Sequence, residues 1–252
     1  MARLILKRRE RREGLRRSTA AVAGFAIVAM SAAPAGAIVG GEPESGPVAR
    51  RLVQVGVCTG VVLARDVVLT AAHCVTGNVK WRDAQGQMRS IPTRESSIAP
   101  AFKPGETNPG IPTIDLSLLR LRDSLPAPFV PAELSAEPVR LDERVVITGF
   151  GESIQGYAES AGALRSAAMR VIEPFGYESE AIWMERGGAA GACKGDSGGA
   201  VTRDGPVVGV ITSILGYCGY RTRAILLGPQ KRWIDGAMDG WGRKASWRAP
   251  AE

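Results

Sequence analysis

His73 is the only histidine in the 252-residue chain, and it stands in Thr70-Ala71-Ala72-His73-Cys74 at the end of an apolar run. One imidazole alone is weak, because most lone histidines are structural or simply exposed. A second segment gives it weight: Cys193-Lys194-Gly195-Asp196-Ser197-Gly198-Gly199. A serine flanked by glycines can sit on a tight turn that presents its hydroxyl and leaves backbone N–H groups free. The bland alternative is a glycine-rich hairpin turn. A third candidate is Asp115, which opens the run Asp115-Leu116-Ser117-Leu118-Leu119. A carboxylate there is costly to bury unless it has a partner. A hydroxyl, a base and a carboxylate are the parts of acyl transfer by an activated serine: the base takes the hydroxyl proton during attack, and the acid orients the base. No CxxC pair or histidine-rich cluster is present, so no metal site is expected, and no cofactor is called for.

These residues need a rigid frame. The sequence is 45% hydrophobic with mean hydropathy near zero, which suits a packed core. Its 31 glycines and 16 prolines, with few aromatics, favour many short strands over a helical bundle. Runs rich in Val, Ile, Leu and Thr predict strands at 51–57, 61–70, 114–121, 143–149, 164–172 and 206–214. A terminal helix is predicted over 229–241, with Pro229 near its start. The stretch from Pro126 to Pro138 holds four prolines and reads as the linker between comparable halves.

The formal charge of +7 belongs to the N-terminus. Residues 1–37 hold eight of the 32 basic side chains and two of the 25 acidic ones, which leaves the remainder close to neutral. A nucleic-acid partner is therefore not indicated. The same segment has an export-signal layout: an arginine-rich start, an apolar core from Ala20 to Met30, then Ala35-Gly36-Ala37, which fits a signal-peptidase site. Arg16-Arg17 also fits a twin-arginine signal. The competing reading is a retained membrane anchor, since the uncharged run from Ser18 to Gly41 is long enough to span. Pro34 and the Ala- and Gly-rich composition favour cleavage, with no stable membrane association afterwards. Four cysteines in an exported chain point to two disulfides, and spacing leaves all three pairings open.

TAAHC, DLSLL and GDSGG in this order resemble the chymotrypsin/trypsin family of serine proteases over about Ile38 to Trp241. The order His, Asp, Ser differs from that of subtilisins and α/β-hydrolases. The resemblance implies an all-β fold of two six-stranded antiparallel β-barrels with a C-terminal α-helix. The domains expected are a signal peptide at 1–37, a first barrel at 38–131, and a second barrel with the helix at 132–252. It implies His73, Asp115 and Ser197 as catalytic triad and the N–H groups of Gly195 and Ser197 as oxyanion hole. It pairs Cys58 with Cys74 and Cys193 with Cys218. Ile38-Val39-Gly40-Gly41 resembles the mature N-terminus of relatives, whose freed amine pairs with the aspartate before the nucleophile, here Asp196.

By the same resemblance Ser213 supports Asp115. Gly191 forms the pocket floor, with Ala192, Lys194, Ile214 and Leu215 around it. The absence of an acid at Gly191 argues against basic substrates, since a buried cation needs a partner. Leu215 is expected to narrow the pocket, so small or medium apolar P1 residues are preferred. Departures are Ala200 for the usual proline of GDSGGP and Phe150 for the tryptophan of GWG. The expectation is thus a monomeric secreted or periplasmic endopeptidase acting on proteins or peptides. The leader's style and the Arg and Ala content point to a bacterial source. A catalytically silent binding protein of the same fold is the main competitor.

Overall fold

The structure is a computed structural model that describes residues 38–75, 77–106, 113–173, 180–187 and 190–249. The expected leader, residues 1–37, lies outside them. Among the described residues no helix is long and apolar enough to cross a membrane.

Six strands make a first closed barrel: β1 (Leu52–Val55), β2 (Cys58–Ala64), β3 (Val67–Thr70), β4 (Asn78–Arg82), β5 (Met88–Ile98) and β6 (Ser117–Leu121). They close in the order β1-β2-β3-β6-β5-β4. A second set comprises β7 (Arg144–Gly149), β8 (Arg165–Ile172), β9 (Ala181–Glu185), β10 (Ala200–Thr202), β11 (Val207–Leu215) and β12 (Arg221–Leu226). Its ring runs β10-β7-β8-β9-β12-β11 and closes through β10–β11, so the two barrels share one winding. Helix α1 (Lys231–Gly240) follows. The fold is the expected pair of six-stranded antiparallel barrels with a C-terminal helix.

Alternation decides the packing. In the first barrel Val53, Val55, Val62, Val68, Leu119 and Leu121 turn inward. Their neighbours Leu52, Val61, Leu63, Leu69 and Leu118 turn outward, yet stay buried in a cluster with Leu134, Val210, Ile225, Ile234 and Met238. Strands buried on both faces read as continuous apolar runs, which is why 61–70 looks like one strand. The turn at Arg65 and Asp66 divides it into the β2–β3 hairpin. Asp66 also accepts both Nε and Nη2 of Arg243, each at 2.8 Å, which pins the end of α1 to the first barrel.

Candidate active site

The end of β3 enters a single turn, Ala72–Cys74, that carries His73. Asp115 lies just before β6, which pairs with β3, so strand register brings the two side chains together. His73 Nδ1 lies 2.6 Å from Asp115 Oδ2, and the His73 backbone N–H donates to Oδ1 at 2.9 Å. That leaves Nε2 as the outward nitrogen. The bond to Asp115 outweighs desolvation and raises the His73 pKa above its ordinary value.

Ser197 comes from the loop between β9 and β10. Cys58 and Cys74 are disulfide-bonded, and Cys74 Sγ lies 3.8 Å from the Ser197 carbonyl. The Ser197 hydroxyl donates to the Thr212 carbonyl at 3.3 Å, and no hydrogen bond joins it to His73. Catalytic contacts of this kind tighten when substrate binds. Cys193 and Cys218 form the second disulfide and hold the loop's start. Among the described residues the N–H groups of Gly195 and Ser197 have no backbone acceptor, whereas the intervening Asp196 N–H is used by the Cys193 carbonyl at 3.1 Å. Two unclaimed donors beside a serine hydroxyl can stabilise a developing oxyanion.

Asp196 is fully buried. Its Oδ1 accepts from Gly151 N–H at 2.8 Å, its Oδ2 from Cys193 N–H at 2.9 Å, and Ile38 N–H adds a third bond. Burial nonetheless pushes its pKa up to about 7, against the pull of these three donors, and the charge of Glu152 adds to the rise. No cation among the described residues pairs with it. The chain continues upstream of Ile38, so the nitrogen there is a peptide amide and carries no charge.

The cleft beside Ser197, about 460 Å³, is lined by Ala192, Ile211, Ser213, Ile214 and the Cys193–Cys218 pair, with Lys194 exposed at its rim. Three expected placements need correction. Leu215 does not face this cleft; it lines the neighbouring groove that holds His73 and Asp115, and Ile214 is the side chain at the wall. Ser213 is exposed and makes no hydrogen bond to Asp115; buried Thr212 sits where a supporting hydroxyl was expected, its Oγ1 without a partner. The cause is a register shift between Ile211 and Ser213, which upsets the alternation that a sequence reading assumes. Gly191 is buried and is not among the residues that line this cleft. Its N–H donates to the Val39 carbonyl at 3.1 Å, and the neighbouring Ala192 N–H donates to Thr222 Oγ1 at 2.9 Å. Glu152, a buried carboxylate lining this cleft, and Thr222, buried behind Ala192, escaped the sequence reading because neither stands in a motif.

Comparison with known proteins agrees with this geometry. The family described as Trypsin matches residues 38–233. Kallikrein-8 of Rattus norvegicus is 27% identical over 180 residues, covering 65% of this chain and 68% of that protein. Serine protease SP24D of Anopheles gambiae is 29% identical over 184 residues, covering 64% of each. Among solved structures, neuropsin, a serine protease expressed in the limbic system of mouse brain, superposes with a TM-score of 0.67 at 22% identity, covering 78% of this chain and 98% of that one. These relatives are from animals and lend no support to a bacterial source.

Proposed function

This chain belongs to the trypsin family of serine endopeptidases, and from that premise we propose that it cleaves peptide bonds with His73, Asp115 and Ser197 as its triad. The observation that carries the reading is the 2.6 Å Asp115–His73 contact beside the two unclaimed N–H groups of the Ser197 loop. Asp115 holds the proton on Nδ1, which leaves Nε2 able to accept the Ser197 proton as Oγ attacks the carbonyl carbon. The N–H groups of Gly195 and Ser197 receive the oxyanion. His73 then protonates the leaving amine, and water releases the acyl group by the same steps in reverse. One oxyanion donor is typically worth about 10²–10³ in turnover. The deciding comparison is casein hydrolysis by wild type and by Ser197→Ala; equal rates would leave the silent binding protein as the answer.

Ile38 is proposed as the mature N-terminus, freed by signal peptidase after Ala37 during export. Two disulfides are consistent with an oxidising compartment. The ammonium would meet the buried Asp196 carboxylate, supply its missing counter-charge and pull its pKa down. A free α-amine titrates near 8, and the ion pair raises that value. The pair's stabilisation is therefore present at lower pH and lost as pH rises through the raised pKa. Activity should trace a bell. It falls in acid as pH drops through the raised His73 pKa, and in alkali as the Ile38 amine deprotonates. A kcat/KM profile between pH 5 and pH 11 tests both limbs, and a flat alkaline side contradicts the amine assignment.

Small or medium apolar P1 residues fit the cleft, because Ile214, Ile211 and Ala192 give it an apolar lining. Placing an acid at Gly191 should not convert the enzyme to Arg or Lys specificity. A Cβ there comes within 3.0–3.3 Å of the Gly219 backbone, so a longer side chain has no room without a backbone shift, and Gly191 is not among the residues that line the cleft. Assayed on matched P1-Ala and P1-Arg peptides, Gly191→Asp should still favour alanine; a switch to arginine would refute the pocket assignment. The chain as a monomer, and as two functional halves at 38–131 and 132–252, completes the proposal.

A further inference from the structure

Val171, Ile182, Val208 and Leu226 are buried members of the second barrel's core. At the end of that barrel where β8 stops and β9 starts, the same four side chains wall a cavity of about 470 Å³. Val139 and Leu141, from the chain leading into β7, add to the apolar wall. None of His73, Asp115 and Ser197 lines this space, so it is separate from the catalytic cleft.

Unfilled apolar volume forfeits the dispersion contacts that close packing would give. A dry apolar void takes up apolar guests, and one of about 150 Å³ already holds benzene. The mouth of a β-barrel is a common place for a small-molecule site, and the volume here falls within the ordinary range for one. The charges around it point to the kind of guest. Three charged residues line the cavity: Glu137, Arg140 and Glu173. Glu137 Oε2 accepts Arg203 Nη2 at 2.9 Å, so its charge is met. Arg140 and Glu173, both exposed, offset each other. The remaining lining residues are Ala, Val, Leu, Ile, Pro, Trp and Gly. Such a site favours an uncharged guest, since an ion would lose hydration without gaining a counter-charge.

Trp183 gives the cavity a connection to catalysis. Its side chain is buried, and it is the residue shared between this cavity and the groove that holds His73 and Asp115. Across the sheet Trp183 is the partner of Arg223, and Arg223 is the partner of Ser213, both of which line the same groove. A guest that favours one position of this indole biases the groove wall that substrate meets.

We propose that the open end of the second barrel binds an uncharged apolar small molecule of one or two rings, and that its occupancy is felt in the substrate groove through Trp183. The binding half stands apart from the peptidase reading, and the coupling half rests on it.

The probe is N-phenyl-1-naphthylamine, an uncharged dye that brightens in apolar surroundings, titrated into the exported protein carrying Ser197→Ala. One saturable site is expected. Ala136→Phe fills the opening from an exposed position, and Val139→Lys puts a charge on its wall. Each should weaken binding by at least about tenfold. Ile214→Glu, which alters the catalytic cleft instead, should leave binding unchanged. Absence of saturable binding overturns the proposal. So does wild-type affinity in a folded mouth variant, checked by circular dichroism and thiol titration, or a loss confined to Ile214→Glu. In wild type, saturating probe should change KM for a P1-Ala peptide by about fivefold or more, with kcat within about twofold. Ala136→Phe should hydrolyse the peptide like wild type and ignore the probe. An unchanged KM at saturation overturns the link through Trp183. Failure of the peptidase reading would appear as no hydrolysis with or without probe, while the titration of the Ser197→Ala protein still decides the site.

Discussion

Asp115→Asn is expected to lower kcat by about 10⁴, and Ser197→Ala by about 10⁶, on the same peptide. The geometry gives the reason for the first. Asp115 Oδ1 already accepts the His73 backbone N–H at 2.9 Å. An asparagine keeps that bond by placing its carbonyl oxygen there, which turns its NH₂ toward Nδ1. Nδ1 must then become the acceptor, the ring proton moves to Nε2, and the base can no longer take a proton from Ser197. The fold should be untouched, so stability and substrate KM change little while kcat collapses. For Ser197→Ala the nucleophile is lost, and adding His73→Ala should cost almost nothing more, because the two act as one unit. Residual turnover from the Gly195 and Ser197 N–H groups should remain about 10³–10⁴ above water. Pre-steady-state kinetics check this. An asparagine variant within tenfold of wild type would remove Asp115 from the mechanism.

Gly198→Ala should be among the most destabilising single substitutions in the chain. Gly198 has φ +84°, and a Cβ built there lies 1.9 Å from the Thr59 carbonyl oxygen and 2.2 Å from Thr70 Oγ1. Neither atom can give way easily, since Thr70 Oγ1 donates to that same carbonyl at 2.7 Å. Both belong to the first barrel, while Gly198 N–H is tied to the Ile211 carbonyl of the second at 2.7 Å. One methyl group would therefore push the barrels apart at the nucleophile. Overpacking and positive-φ strain together are expected to cost roughly 3–6 kcal/mol, or about 10 °C or more in Tm. Thermal denaturation in the Ser197→Ala background measures it, and a Tm within 2 °C of the parent would show that the loop has slack.

The motifs around His73, Asp115 and Ser197 were legible because the chemistry needs fixed residue types at fixed neighbours. Strand β5 was not. Its sequence, MRSIPTRESSI, is polar, contains Pro92 and leaves most side chains exposed, so neither alternation nor propensity marks it. β9 (AIWME) is a short continuous apolar run and β12 (RTRAIL) is polar in its first half, so neither alternates and their assignment depends on partners far away in sequence. The cleft wall was misread for a local reason. The register shift after Ile211 leaves Ser213 exposed and Thr212 buried, and puts Ile214 rather than Leu215 at the cleft wall, and no residue type announces it. The tie from Ala192 N–H to Thr222 became visible only when β12 was laid beside β11, with Thr222 opposite Ile214.

The solitary imidazole also makes this enzyme an unusually clean spectroscopic subject. A proton held between His73 Nδ1 and Asp115 at 2.6 Å is strongly deshielded, and in one-dimensional proton NMR its resonance falls far downfield of the amides. Elsewhere such a signal must be assigned among several histidines; here only one side chain can produce it. The ring carbon protons are equally unambiguous, so the ionisation of this imidazole could be followed directly, with or without an inhibitor, in unlabelled protein. That freedom lasts only while purification avoids a polyhistidine tail.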